Sequence, residues 1–228
     1  MTTVDQLRSF DELFAIAAAR KGGADAFEQT LASPRTEREL ARIPDDRWLS
    51  EMSKRAFQAG FSWKVVADKW PRFEVVFEGF DLGRMSMMSD DDLDRYLRTE
   101  GIIRHGKKIL SIRDNAVFLR ELASEYGTAA AAFAEWPSDN FAGLVWMLKK
   151  RASRMGGISA MYFLRGMGVD SYVLAGDVVK ALIREGVVDK PPSSKRDMDL
   201  VQAGFNRWHA ESGRPLTHIS RVLACSID

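Results

Sequence analysis

The chain has a single cysteine, Cys225. No disulfide can close within it, and a reducing cytoplasm is the expected compartment. Histidine is also scarce. His105, His209 and His218, even with Cys225, do not make a convincing tetrahedral zinc set, so no metal or other cofactor is expected. An excess of one charge is missing too: 33 Lys and Arg face 32 Asp and Glu, a formal net charge of +1. That argues against a non-specific nucleic-acid coat, although local basic patches still count. No apolar run reaches the length of a membrane span. The start, MTTVDQLRSFDEL, carries acids early and lacks a basic-then-apolar order, so no signal peptide is expected. Period-two alternation and hairpin dipeptides between β-branched runs are absent, which excludes a β fold.

What remains is a 228-residue sequence, 46% hydrophobic and 29% charged, ordinary for a globular protein. Apolar residues recur at helical spacing between glycine- and proline-bearing breaks. Helices are expected over Val4–Arg20, Ala24–Leu31, a short one capped by Thr36, and one from Asp45 after Pro44. Ser62 caps the next, which should stop at Trp70 before Pro71, with a separate short helix over Phe73–Phe80. Further helices are expected over Asp90–Thr99, Gly106–Glu125, Thr128–Glu135, Asp139–Arg151, Ile158–Gly166, Val173–Arg184, Ser194–Ala210 and Leu216–Ile227. The fold class is all-α, with roughly ten to twelve helices. The length suits one domain, residues 1–228, and a monomer is expected.

The densest motifs lie between Ala56 and Ala116. Gln58-Ala59-Gly60-Phe61-Ser62-Trp63 resembles the Q-x-G-[LF]-S-W segment of the DNA-3-methyladenine glycosylase I family, within the helix-hairpin-helix glycosylase superfamily. Phe77 to Asp81 resembles its F-x-x-F-D. Gly101-Ile102-Ile103-Arg104-His105, followed by Lys107, Lys108 and Ile109, resembles its G-I-I-R-[HN] and basic helix start. Order and spacing agree over about a quarter of the chain. Met155 to Phe163 is similar to the superfamily's hairpin and second helix, and Val173 to Lys180 to the segment after it.

The resemblance implies a helix-hairpin-helix glycosylase-like fold of two helical lobes around a cleft. It also implies base-excision hydrolysis of the N-glycosidic bond of an alkylated purine in double-stranded DNA, by base flipping. Residues 1–50 depart from the family. The matches for two of its zinc ligands are Asp177 and Ala181, so the zinc clasp is expected to be absent. Where the family has a base-binding glutamate, this chain has Arg55, a charge reversal, with Glu51 one helical turn earlier as a pairing candidate. A non-catalytic DNA-binding or damage-sensing module on the same scaffold is the alternative.

The residues leave several choices open. Trp63 offers a large π face for an extruded base, or is a core indole. Phe61 is a wedge for the vacated duplex position, or a buried loop side chain. Gln58 reads a base edge, or bonds backbone at a helix end. Tyr162 reaches the base pocket, or packs. Asp177 is the catalytic acid, or the N-cap of the helix after it. Lys149, Lys150, Arg151 and Arg154 precede the Gly156-Gly157 turn, whose amides suit a phosphate; the other reading is a solvated helix end. Arg104, Lys107 and Lys108 carry the same two readings.

Overall fold

Helix starts in this chain are written in short polar codes. Capping boxes, in which a Ser or Thr accepts from the N3 backbone while the N3 carboxylate accepts from the cap backbone, form at Ser9/Glu12, Thr36/Glu39, Ser89/Asp92 and Ser194/Asp197. Ser62 and Thr128 cap through their hydroxyls alone. The computed structural model describes residues 7–227. Among these residues there are fourteen α-helices and no strand: α1 (Phe10–Arg20), α2 (Ala24–Glu28), α3 (Glu37–Ala41), α4 (Asp45–Gln58), α5 (Trp63–Val76), α6 (Leu82–Ser86), α7 (Asp90–Arg98), α8 (Gly106–Tyr126), α9 (Ala129–Ala134), α10 (Phe141–Arg151), α11 (Ile158–Met167), α12 (Gly176–Arg184), α13 (Lys195–Ser212) and α14 (Leu216–Cys225). The all-α expectation holds. No described helix is long and apolar enough to cross a membrane.

The chain divides into two compact units. One takes residues 7–35, Pro137–Leu144 and 168–227. Its core runs through aromatic rings: Phe141 edge-on to Tyr172 at 4.7 Å, Tyr172 stacked on Phe205 at 4.3 Å, and Phe205 edge-on to Trp208. Asp170 accepts from the amides of Leu216 and Thr217 and so closes the start of α14.

The other unit takes Thr36–Trp136 and Val145–Met167. Here α4 packs against α8 and α11. Trp48, fully buried, stacks on Phe133 at 4.6 Å and meets Phe163 edge-on at 5.9 Å. The Asp45 carboxylate accepts from the amides of Ala129 and Ala130, fastening the start of α9 to that of α4.

Several expected boundaries move. α1 begins at Phe10 because Ser9 caps it; positions 4–6 of the expected helix lie outside the described residues. α10 begins at Phe141 after a 3-10 turn over Ser138–Asn140, and α12 begins at Gly176 rather than Val173. The largest correction concerns Pro71, which does not end a helix: α5 runs through it to Val76. Proline there removes the bond to the Ala67 carbonyl. Both residues are exposed, so water can serve that carbonyl. On the opposite face Trp70 stacks on Phe73 at 4.8 Å and on Phe80 at 5.5 Å, and its N–H donates to Ser50 Oγ. Burial of those rings outweighs the local break. The expected Phe73–Phe80 helix is replaced by the end of α5 and a left-handed run, with φ of 50° at Glu78, 68° at Gly79 and 60° at Phe80. Asp81 then caps α6, which the sequence reading does not anticipate.

Candidate functional site

The last turn of α4, the connection after it and the first turn of α5 sit against α11 within one unit. Gly60, at φ 95°, turns the chain out of α4. Ser62 then caps α5 by accepting from the Val65 amide. This places Trp63 as the first residue of a helix with 47% of its surface exposed, unlike the core indole of Trp48. The Trp63 ring meets Tyr162 of α11 edge-on, centroids 5.0 Å apart.

Arg55 joins this pair. Its guanidinium lies 5.2 Å from the Trp63 ring centroid. Its Nε donates to Glu51 Oε1 at 2.7 Å and its Nη1 to Gln58 Oε1 at 2.9 Å. The expected pairing of Glu51 with Arg55 is therefore present, and it consumes the hydrogen-bonding oxygen of Gln58 as well. Gln58 is 7% exposed, so its amide acts through Arg55. Gly166, one helical turn beyond Tyr162 on α11, completes the arrangement. A Cβ there would lie 2.5 Å from Glu51 Oε1 and 2.7 Å from Arg55 Nη2. Gly166 is not among the sequence-derived candidates; its signal is a glycine inside a helix at i+4 from a candidate aromatic.

Phe61 projects from the connection, 37% exposed and edge-on to His105 at 6.1 Å. Beneath it lies Lys108, which the sequence reading groups with exposed basic residues. The structure corrects this: Lys108 is 4% exposed and donates to the carbonyls of Ala56, Phe57 and Ala59. Burial, with the Arg154 charge added, draws its pKa below the ordinary lysine value. The signal was its helical spacing to Ile112 and Asn115, both on the buried face of α8.

The turn between α10 and α11 is pinned from below. Asn115, fully buried, accepts from the Ser153 amide at 2.8 Å and donates to the Ser153 carbonyl at 3.1 Å. Arg154 takes a left-handed φ of 60° and donates from Nε to the Lys107 carbonyl, bringing the two basic segments side by side. Arg104, Lys107, Lys149, Lys150, Arg154, Gly156 and Gly157 are all exposed. Lys149 and Lys150 lean over the Trp146 ring, at 4.7 and 5.8 Å. Arg151 is engaged by carboxylates, 2.6 Å from Glu125 and 3.4 Å from Glu121.

Asp177 is the second residue of α12. The N-cap is Ala175, so the capping alternative does not hold. Its exposed carboxylate pairs with Lys180 at 3.1 Å and complements the helix dipole. The zinc that the resemblance associates with the family does not fit: Ala181 has no ligating atom, and among the described residues no group of three or more His, Cys, Asp or Glu side chains converges.

Residues 41–155, about half of the chain, match the family model for methyladenine glycosylase. That stretch includes Arg55, Gln58, Phe61, Trp63, Arg104, Lys107 and Arg154. The DNA-3-methyladenine glycosylase 1 of Escherichia coli (strain K12) is 39% identical over 59 residues, 26% of this chain and 32% of that protein. The DNA-3-methyladenine glycosylase of Haemophilus influenzae is 36% identical over 59 residues, with the same coverage. The match thus spans about a third of the length of these curated relatives. A 3-methyladenine DNA glycosylase I from Staphylococcus aureus superposes with a TM-score of 0.51 at 18% identity, over 68% of this chain and 92% of that one. Another such glycosylase, solved in complex with 3-methyladenine, gives 0.51 at 18% over 64% and 86%. At these identities the structural likeness is one of fold.

Proposed function

As the chain belongs to the methyladenine glycosylase family, we propose that it is a base-excision repair hydrolase that removes an alkylated purine, of the 3-methyladenine type, from double-stranded DNA. The working form is a cytoplasmic monomer. The observation that carries the reading is the half-exposed Trp63 set edge-on to Tyr162 at the head of α5, with a polar cluster alongside. Chemistry on a base requires turning it out of the stack. The Trp63 indole is the surface on which the extruded base stacks. Phe61 is the wedge that fills its place in the duplex. Lys149, Lys150, Arg154, Arg104 and Lys107, with the Gly156-Gly157 amides, hold phosphates, while Arg151 is held by Glu121 and Glu125.

In the reaction the bond from C1′ to the base nitrogen breaks with its electron pair on the base. A water oxygen forms the new bond to C1′, and one of its protons passes to solvent. A purine made cationic by alkylation departs neutral and needs little further activation. Asp177 is assigned to assist cleavage on the resemblance alone, and Asp177→Asn tests it: unchanged release removes it from the mechanism.

The test of the whole reading is incubation with dimethyl-sulfate-treated duplex and chromatography of released bases. Release of 3-methyladenine or 7-methylguanine is expected. No release with enzyme in excess, duplex binding being retained, replaces it with the second reading, a non-catalytic DNA-binding or damage-sensing module. The observation favouring that alternative is Arg55, a cation set beside the stacking surface where a cationic base is unwelcome. Loss of salt-sensitive duplex binding as well removes both.

A further inference from the structure

We propose that the Glu51–Arg55 pair is a charge selector, which turns the base site toward uncharged purine adducts with acceptor edges and away from cationic ones. This rests on the base-excision reading above and ranks its substrates: cationic adducts are still released, but more slowly than uncharged ones. Three observations carry it. Glu51 is bonded to Arg55 at 2.7 Å, so its negative charge is answered within the site rather than offered to a ligand. The guanidinium keeps N–H groups to give: Nε serves Glu51 and one Nη1 hydrogen serves Gln58, while Nη2 has no partner among the described residues. And Nη2 packs against Gly166, whose lack of a side chain leaves the guanidinium its place beside Trp63: a Cβ there would lie 2.7 Å from Nη2. The guanidinium carbon of Arg55 lies 5.2 Å from the centroid of the Trp63 ring.

Leaving-group chemistry gives the sign. A cationic purine departs as a neutral molecule. A nearby guanidinium raises the energy of the bound cation and gives nothing to the departing base. An uncharged purine departs with negative charge growing on its ring as the electron pair of the C1′–N bond moves onto it. N–H donors at a ring nitrogen or carbonyl oxygen stabilise that charge. Arginine stays protonated throughout. The proton that neutralises the base therefore comes from the water that adds to C1′, and the products are the free purine and the sugar hydroxyl.

Single-turnover release is measured from duplexes carrying one 1,N6-ethenoadenine or one hypoxanthine, and from dimethyl-sulfate-treated duplex. The two uncharged probes separate a ring-nitrogen acceptor edge from a carbonyl one. The wild-type chain is expected to favour an uncharged base by about tenfold or more. Arg55→Gln frees the Glu51 carboxylate and shifts the ratio toward cationic bases by about tenfold; Glu51→Gln shifts it the other way. Loss of a merely structural pair would lower all releases together. An unchanged ratio in Arg55→Gln overturns the proposal whatever the wild-type preference. If cationic bases are still released, the base-excision reading stands without it. Release of no base by any of the three proteins removes both.

Discussion

The ammonium of Lys108 lies 4.8 Å from the centroid of the Phe61 ring and at the same time closes the C-terminus of α4. The carbonyls of Ala56, Phe57 and Ala59 are the orphan acceptors of a helix end, and one buried amine answers all of them. Lys108→Met keeps most of the stem volume and leaves those acceptors without a protein donor. The expected loss is about 2 kcal/mol in urea unfolding. Phe61→Ala, at a half-exposed ring, is expected to cost less than about 1 kcal/mol. Equal losses in the two variants would show that Lys108 acts only through Phe61.

Gly166→Ala should separate stability from function. Alanine is the better helix former, by up to roughly 1 kcal/mol, less here in the last turn of α11. The new Cβ meets Glu51 Oε1 at 2.5 Å and Arg55 Nη2 at 2.7 Å, and both are ends of flexible side chains that can swing away. The melting temperature is therefore expected to stay within a few degrees, while base release changes several-fold because Arg55 is displaced from Trp63. A fall in both together would mark Gly166 as a packing residue alone.

The parts of this fold that are local were legible in advance. The caps at Thr36 and Ser62 need only three or four neighbouring residues, and each stands where the spacing puts it. The force that carries α5 through Pro71 is not local: it is the stacking of Trp70 with Phe73 and Phe80, and Phe80 lies beyond the end of that helix. At the site, Arg55 beside Glu51 follows from i,i+4 spacing, whereas Trp63 beside Tyr162 is a tertiary contact between the start of α5 and α11 that spacing does not reach. Gly166 could not be weighed, since its meaning depends on α11 lying against α4. Residue type points Lys108 outward, but its position on the buried face of α8 puts it inside.

Asn115 holds the turn before α11 at both the amide and the carbonyl of Ser153. Asn115→Ala strips a buried donor and acceptor pair and is expected to cost about 1–3 kcal/mol. If the turn presents its amides to phosphate, duplex affinity also falls, with no change in salt dependence, because no cation is lost. Replacing Lys149 and Lys150 together should do the reverse. Stability holds, and the slope of log K against log salt shrinks by roughly 0.9 for each lysine in phosphate contact. Anisotropy titrations across a salt series distinguish the two. An unaltered slope in the double lysine variant removes both from the DNA face.

His218 sets an acid limit on stability. It is the third residue of α14, 8% exposed, and neither ring nitrogen makes a hydrogen bond of ordinary geometry. Burial first, and then the Arg214 charge, lower its pKa below the ordinary 6.5; Glu28, Asp170 and the backbone of Ala32 pull weakly the other way. The start of a helix also disfavours a cation. The unfolded chain therefore takes up this proton at a higher pH than the folded one. The contribution is fully present above about pH 6.5 and is lost as pH falls through that value toward the folded pKa, with a slope of up to about 1.4 kcal/mol per pH unit. The capping carboxylates Glu12, Asp92 and Asp197 have their pKa values lowered, so they titrate well below this window. Urea midpoints of the wild type should fall between pH 7 and pH 5, while those of His218→Leu stay flatter over the same range. Parallel curves for the two proteins would place the acid sensitivity elsewhere.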